Sequence, residues 1–564
     1  MSSLPKIAIA QINVTVGDIA GNHAKILAAW DKATKAGAQL VVFPELCITG
    51  YPPQDLILSP DFRKKTMQAA QDIAAKTAGG AALIIGCVWE QNSCHANESC
   101  HPEKNKEGWI PACAGMTNAA LLLDGGKIIH VQPKTMLPNY GVFDEKRLFE
   151  AGNGIIPVNW RGHKIAIMVC EDVWHEAVLE PLRKQEIEAV LVINCSPFEI
   201  GKDKQRLDVA RKAAHVISAP LFYANLVGGQ DDIVFDGGSF VMDAAGEIIC
   251  QFPRFEESVI LWDASASAQD ISPATRDPVL SLRSPQDECW NAMKLGLADY
   301  VCKNGFKKVL LGLSGGIDSA VTVACAVDAL GAENVLGVLL PSPYSSKDSV
   351  EDAQSSAKLL GIETRTIPIT PAMEVFSKIL TSEFAKTGWM EEPEIGGNLQ
   401  ARLRGIILMG LSNRYGSLLL STGNKSEIAV GYSTLYGDSC GAYNVLKDIY
   451  KTKVYELANW RNQQSPAIPA RSISKPPSAE LKPGQRDDDN LPPYDILDDI
   501  LAKHIEGRMS AEEIIASGHE QKIVEKVLRL VRLSEYKRSQ SCPGVKVTSM
   551  LFGKDRRYPL TNKF

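Results

Sequence analysis

Along the first 255 positions apolar residues gather in short runs bounded by polar, Gly or Pro positions, the pattern of strands. The runs are IAIAQINV (7–14), AQLVVFPEL (38–46), ALIIGCVW (82–89), KIAIMVCE (164–171) and AVLVINCSP (189–197). Between the first two, GNHAKILAAWDKATKAGA (21–38) has helical spacing. Alternation of this kind predicts an α/β domain over 1–255 with parallel or mixed sheets. From 256 to 288 periodicity fades into Ser, Asp and Pro, which reads as a linker. A second domain, 289–564, opens with a helix ending near Asn304, then KKVLLGL, SGGIDS and the helical AVTVACAVDALG. Strand, tight glycine turn and helix in that order begin a nucleotide-binding α/β fold.

Two segments depart from this rhythm. Residues 91–116 carry Cys94, His95, Cys100, His101 and Cys113, types that ligate zinc, but their spacing matches no compact finger. With Pro, Gly and Lys between them, they read as a surface insertion. The Pro-rich, charged stretch 472–493 likewise reads as a surface excursion rather than a lid.

At 564 residues the chain is too long for one ordinary core, and 45% hydrophobic content fills two. Its charge of −6, from 60 basic and 66 acidic residues spread along the chain, asks for neither a nucleic-acid nor a membrane partner. No apolar run reaches the length of a transmembrane helix, and the start MSSLPKIAIAQINV lacks the pattern of a secretory leader. Thirteen scattered cysteines suit a reduced protein, so a cytoplasmic location is expected.

Three residues carry a first chemistry. Glu45 follows LVVFP, Lys134 follows IIHVQP, and Cys170 ends KIAIMV. A thiol beside a carboxylate and an ammonium can attack an amide carbonyl. Glu45 would take the thiol proton and pass it to departing ammonia, while Lys134 would stabilise the oxyanion and lower the thiol pKa. The stretches VVFPEL, PKTMLPNYGVFDEKRLF and IMVCEDVW around these residues resemble the carbon-nitrogen hydrolase, or nitrilase, superfamily. That resemblance implies an α-β-β-α sandwich, makes Glu45, Lys134 and Cys170 a catalytic triad, and adds Glu145 as a further active-site glutamate. Within it NCSPFEIGK looks like a glutamine-gripping segment, placing Ser196 and Lys202 with Tyr140 around that substrate. GGQDDIVFDGGS (228–239) looks like the glutaminase version of the fold.

A second chemistry lies in SGGIDS (314–319), which lacks the lysine of the common phosphate loop. Adjacent Gly315 and Gly316 let backbone amides converge on an anion, Ser314 and Ser319 add donors, and Asp318 suits Mg²⁺ bridging phosphates. The string resembles the loop of N-type ATP pyrophosphatases, which implies a Rossmann-like domain of the adenine nucleotide alpha hydrolase type that cleaves ATP to leave AMP on its acceptor. LPSPYSSKDS, GNLQARLRG, STGNKSEIAVGYSTLYGD and PSAELKPGQRDDDNLPPYDILD extend the resemblance to the family of glutamine-dependent NAD synthetases. It implies ATP contacts from Gly312, Leu313, Ser314, Gly315, Gly316, Ile317, Asp318, Ser319 and Thr422. Asn398, Glu427 and Lys546 would contact deamido-NAD, and Asp318 and Glu427 would hold Mg²⁺. Asp438 and Lys447 are weaker matches, and Lys425 would neutralise phosphate charge, although GNKSE also reads well as a helix start. The implied partners are glutamine, ATP and deamido-NAD, within a homodimer or larger homo-oligomer. Two rivals are an amidotransferase acting on another acid and a regulatory protein that has lost catalysis; the family motifs oppose the first and the intact catalytic set the second.

Overall fold

The computed structural model describes residues 4–90, 115–263, 284–387, 393–478, 480–482 and 484–562. The insertion with its cysteines and histidines therefore lies outside the described residues, apart from 115 and 116. The chain divides into two compact units: Met1–Gln230 with Val234–Leu282, and Asp231–Ile233 with Arg283–Phe564.

The first unit holds two six-stranded sheets. One runs in the order Ser258–Trp262, Ile7–Gln11, Leu40–Val42, Ala82–Glu90, Met116–Asp124, Lys127–Pro133. The other runs Ile248–Gln251, Phe240–Met242, Leu221–Asn225, Ala189–Asn194, His163–Val169, Val158–Trp160. Side chains alternate across a strand, so each sheet has an inner and an outer set. Ile7, Ile9, Val42, Ile84 and Leu122 from one sheet meet Ile165, Ile167, Leu191, Ile193, Phe222 and Val241 from the other in a fully buried layer. Ala166, Met168, Val190 and Val192 face the opposite way, onto Ala210, Ala213, Ala214 and Ile217 of the helix Lys202–Ile217. Helices Ile19–Lys35 and Pro60–Lys76 cover the outside of the first sheet. The result is the expected α-β-β-α sandwich.

One boundary needs correction. Ser258–Trp262, assigned from sequence to the linker, is a strand paired antiparallel with Ile7–Gln11, Ile7 opposite Trp262 and Gln11 opposite Ser258. The first unit thus runs past 255, because this edge completes its first sheet. The helix Pro285–Lys303 also begins inside the expected linker, with the Ser284 hydroxyl capping the Asp287 N–H at 3.1 Å.

The second unit is built on a five-stranded parallel sheet ordered Glu363–Thr366, Val335–Leu339, Val309–Gly312, Leu418–Ser421, Tyr443–Asn444. The strand order reverses at Val309–Gly312, the first strand of this sheet in chain order, which has the sheet's second strand on one side and its fourth on the other. Such a switch point opens a crevice at the carboxyl ends of the strands, where ligands of doubly wound folds bind. A separate helical layer packs Leu497, Ile500, Leu501, Ile514, Val524 and Val527 around Ala429 and Val430. Among the described residues no helix is long and apolar enough to cross a membrane.

Candidate active sites

Three strand ends converge in the first unit. Glu45 stands in the turn after Leu40–Val42, Lys134 just beyond Lys127–Pro133, and Cys170 directly after His163–Val169. Glu45 Oε1 accepts from Lys134 Nζ at 2.7 Å and from Asn118 Nδ2 at 2.7 Å, and Oε2 accepts from the Cys195 N–H at 2.9 Å. Lys134 also donates to Glu145 Oε1 at 2.9 Å, an oxygen that receives the Tyr51 hydroxyl at 2.9 Å. Glu45, Lys134 and Glu145 are all buried. Position 86, in the neighbouring strand Ala82–Glu90, must be glycine because a Cβ there would stand 2.1 Å from Leu46 N and 2.5 Å from the Glu45 carbonyl carbon.

Burial and pairing set the charges. Burial opposes the Lys134 charge, yet Glu145 and Glu45 outweigh it and hold the ammonium well above its usual range. Burial pushes the Glu145 carboxyl up, against the pull of Lys134. Lys134 lowers the Cys170 thiol as expected, but burial, with the Glu45 charge, outweighs it and drives the thiol well above its ordinary value. Ionising this thiol therefore calls for a base beside it. Cys170 also has φ +48°, the left-handed region, where an L side chain is strained.

Of the residues expected around glutamine, Tyr140 and Ser196 lie close to the nucleophile's segment in the structure. Val169 pairs with Ile193 in adjacent parallel strands, so Cys170 and Ser196 follow neighbouring strand ends. Tyr140, 59% exposed, donates its hydroxyl to Glu171, the residue after the nucleophile. Ser196 Oγ accepts from Arg206 Nε at 3.0 Å, and Arg206 also donates to the carbonyls of Ser196 and Pro197. Asp236 orients Arg206 at 2.8 Å and accepts from Arg254 at 2.9 Å. Lys202 opens the helix Lys202–Ile217, its ammonium 3.8 Å from Glu199. Sequence reasoning missed Asn118 and Tyr51, whose partners lie 73 and 94 positions away, and Arg206 and Asp236, whose partners are nearer but meet them only in the fold; for Asp236 the only signal was its place in the GGQDDIVFDGGS string.

In the second unit a cavity of about 300 Å³ lies at the switch point. Gly312, Leu313, Ser314, Gly316, Ile317 and Asp318 line it, with Thr422, Glu427 and Asp438. Gly315 and Ser319 shape the loop from behind. Gly315 has φ +77°, a Cβ there would stand 2.1 Å from Ser349 O, and Ser319 Oγ donates to Gly316 O at 3.0 Å. Asp318 Oδ1 accepts from Asn424 Nδ2 at 3.0 Å, and its Oδ2 pairs with Lys451 Nζ. The same ammonium lies 3.4 Å from Glu427 Oε1. Burial raises the Glu427 carboxyl despite Lys451, and the Asp318 charge raises it further. Lys451 was not foreseen: KDIYKTK gives no hint that one of its lysines meets Asp318, 133 positions away.

Several expectations change here. Residues 472–493 are no surface excursion, for Ser472, Lys475, Ser478, Glu480 and Asp487 line the cavity. Lys425 does not meet phosphate; it is buried, donating to Asp448 at 2.6 Å, Glu506 at 2.5 Å and Thr548 Oγ1 at 2.7 Å. Lys546 is also buried away from the cavity, donating to Thr548 O at 2.5 Å. Asn398 stands behind the lining, accepting from Thr434 Oγ1 at 2.8 Å, and Lys447 lies off the lining altogether.

Both halves match known families. Residues 6–271 match the carbon-nitrogen hydrolase model and residues 289–541 the NAD synthase model. Over 572 residues the chain is 42% identical to the glutamine-dependent NAD(+) synthetase of Synechocystis sp., covering 99% of each. It is 40% identical to that of Thermotoga maritima over 596 residues, again 99% of each. Among solved structures it resembles the glutamine-dependent NAD+ synthetase of Acinetobacter baumannii in complex with ADP: TM-score 0.74, 38% identity, 99% of this chain and 98% of that one.

Proposed function

From the premise that this chain belongs to the glutamine-dependent NAD(+) synthetase family and converts deamido-NAD+ to NAD+ with ATP and glutamine, we propose how its side chains divide the work. The observation that carries the assignment in the first unit is the buried Glu45–Lys134–Glu145 cluster, which stands at strand ends beside that of Cys170. Cys170 attacks the side-chain amide carbon of glutamine while Glu45 takes its proton. Lys134 stabilises the oxyanion, the proton goes to the leaving nitrogen, and ammonia departs to leave a thioester. Water then releases glutamate and restores the thiol. Tyr140, Ser196 and Lys202 hold the amino-acid end of glutamine, Ser196 presented by Arg206.

In the second unit the SGGIDS amides and hydroxyls cradle the phosphates of ATP, with Thr422 beside them. The nicotinate carboxylate of deamido-NAD+ attacks the α-phosphorus, pyrophosphate leaves, and ammonia displaces AMP from the adenylate to give the carboxamide. Activation is needed because a free carboxylate repels nucleophiles and has no good leaving group. Asp318 and Glu427 are hard oxygen donors converging on one cation, Lys451, and so fit Mg²⁺, which takes one or two carboxylates and fills its sphere with phosphate and water. Bound there, Mg²⁺ would neutralise charge on the departing pyrophosphate. Asn398 is placed to fix Thr434 at the cavity wall for deamido-NAD+. The burial of Lys546 gives it an indirect role at most, through the segment it anchors.

A homo-oligomer is supported by the apolar surface of two helices, Thr370–Thr387 and Pro393–Tyr415, on which Val375, Phe376, Ile379, Ile406 and Met409 are exposed. The assignment of the two sites is tested by NAD+ formation from deamido-NAD+, ATP and Mg²⁺, with glutamine or ammonium as nitrogen source. Cys170→Ala is expected to abolish the glutamine reaction and keep the ammonium reaction. Loss of both, or of neither, would refute it.

A further inference from the structure

Asp172 takes no part in the steps above, yet its carboxylate is fully buried and spans two catalytic segments. Oδ1 accepts the backbone N–H of Thr135 at 2.9 Å and of Met136 at 2.8 Å, the two residues that follow Lys134. Oδ2 accepts the N–H of Val169 at 3.0 Å, the residue before Cys170. A buried carboxylate is tolerated only when its oxygens are satisfied, and here three N–H groups from two loops supply charge-assisted bonds. The bond to Val169 also closes the turn in which Cys170 adopts φ +48°, a strain that persists only where its surroundings enforce it.

We propose that Asp172 is a positioning residue for glutamine hydrolysis: its carboxylate fastens the turn bearing the Cys170 thiol to the segment bearing the Lys134 ammonium. Glu45 and Glu145 fix the Lys134 ammonium, and Asp172 ties the turn of the nucleophile to the backbone that follows that lysine. This rests on the roles given above to Cys170 and Lys134. Asparagine cannot do the same work, because a carboxamide offers one accepting oxygen. Either the Val169 N–H or the Thr135 and Met136 pair must then face a donor, so one link breaks at almost unchanged volume.

The test is Asp172→Asn in the full chain. The kcat of glutamine-dependent NAD+ formation is expected to fall by about 10²-fold, the scale of a misplaced reacting group. KM for glutamine should stay within about threefold and ammonium-dependent synthesis should be unchanged, since neither depends on this fastening. Alkylation of Cys170 by iodoacetamide, with Cys170→Ala as blank, should half-saturate at higher pH in the variant because the turn bearing the thiol is no longer fastened beside Lys134. A glutamine kcat within about threefold of native would overturn the proposal. So would a loss of kcat accompanied by a lower melting temperature and faster alkylation at every pH, the mark of a merely structural role. Should Cys170→Ala retain glutamine-dependent synthesis, the reading of the site itself fails first. If Asp172→Asn does not fold, hydrogen exchange of the native protein decides: protected Thr135 and Met136 amides support the link, and free exchange in the folded protein removes it.

Discussion

Asp236 is the most heavily paired carboxylate near the first site, meeting Arg206 and Arg254 while almost wholly buried. Burial alone would raise it, but the two guanidinium groups hold it below the usual carboxylate range. Its folded value lies below its unfolded value, so its contribution to stability is present at neutral pH and is lost as pH falls through the folded value. Asp236→Asn should cost about 3–5 kcal/mol in urea unfolding at pH 7 by leaving buried cations unpaired, with a smaller difference in acid. It should also weaken glutamine binding, because Arg206 presents Ser196. Lys134→Met makes the converse case. It strands Glu45 and Glu145 in an enclosed space, so a comparable loss of stability should accompany complete loss of glutamine-dependent synthesis, checked by the same unfolding and assay. The triad was legible because each member ends a recognisable strand. Its supporting residues were not, since Asn118, Tyr51 and Arg206 are ordinary letters until folding brings them to a carboxylate or a serine loop.

Among elements, the strand Ala82–Glu90 does more than fill the first sheet. Its Gly86 lets the turn bearing Glu45 lie directly on the backbone. Gly86→Ala should displace that turn and cut glutamine-dependent kcat by at least about tenfold while ammonium-dependent synthesis persists, read in parallel assays. A native rate would show that the turn can yield without moving its carboxylate. The buried central strands were readable as apolar runs, among them His163–Val169, Ala189–Asn194 and Val309–Gly312. Ser258–Trp262 was not, because its five residues border a Ser- and Pro-rich stretch and gain strand character only by pairing with Ile7–Gln11, some 250 positions earlier. The segment 472–487 was misread for a related reason: proline and charge mark a loop but not which wall the loop covers.

On the scale of the molecule, each unit has its own buried apolar clusters, one between and outside two sheets, the other around the parallel sheet and a helical layer. Separate cores allow separate unfolding. Leu501, fully buried in the helical layer of the second unit, provides the test. Leu501→Ala should destabilise that unit by about 2–5 kcal/mol and lower one calorimetric transition. A transition of the first unit should stay where it was; a single transition shifted as a whole would show that the two unfold together.

Burying the nucleophile, which also pushes its thiol up, has a further cost and benefit. Peroxide and other electrophilic oxidants react with accessible thiolates, so an enclosed Cys170 presents them with little to attack. Vulnerability is confined to the moments when the thiol is ionised during turnover. Damage to the glutaminase should therefore track the number of catalytic cycles completed in the presence of oxidant rather than the time of exposure.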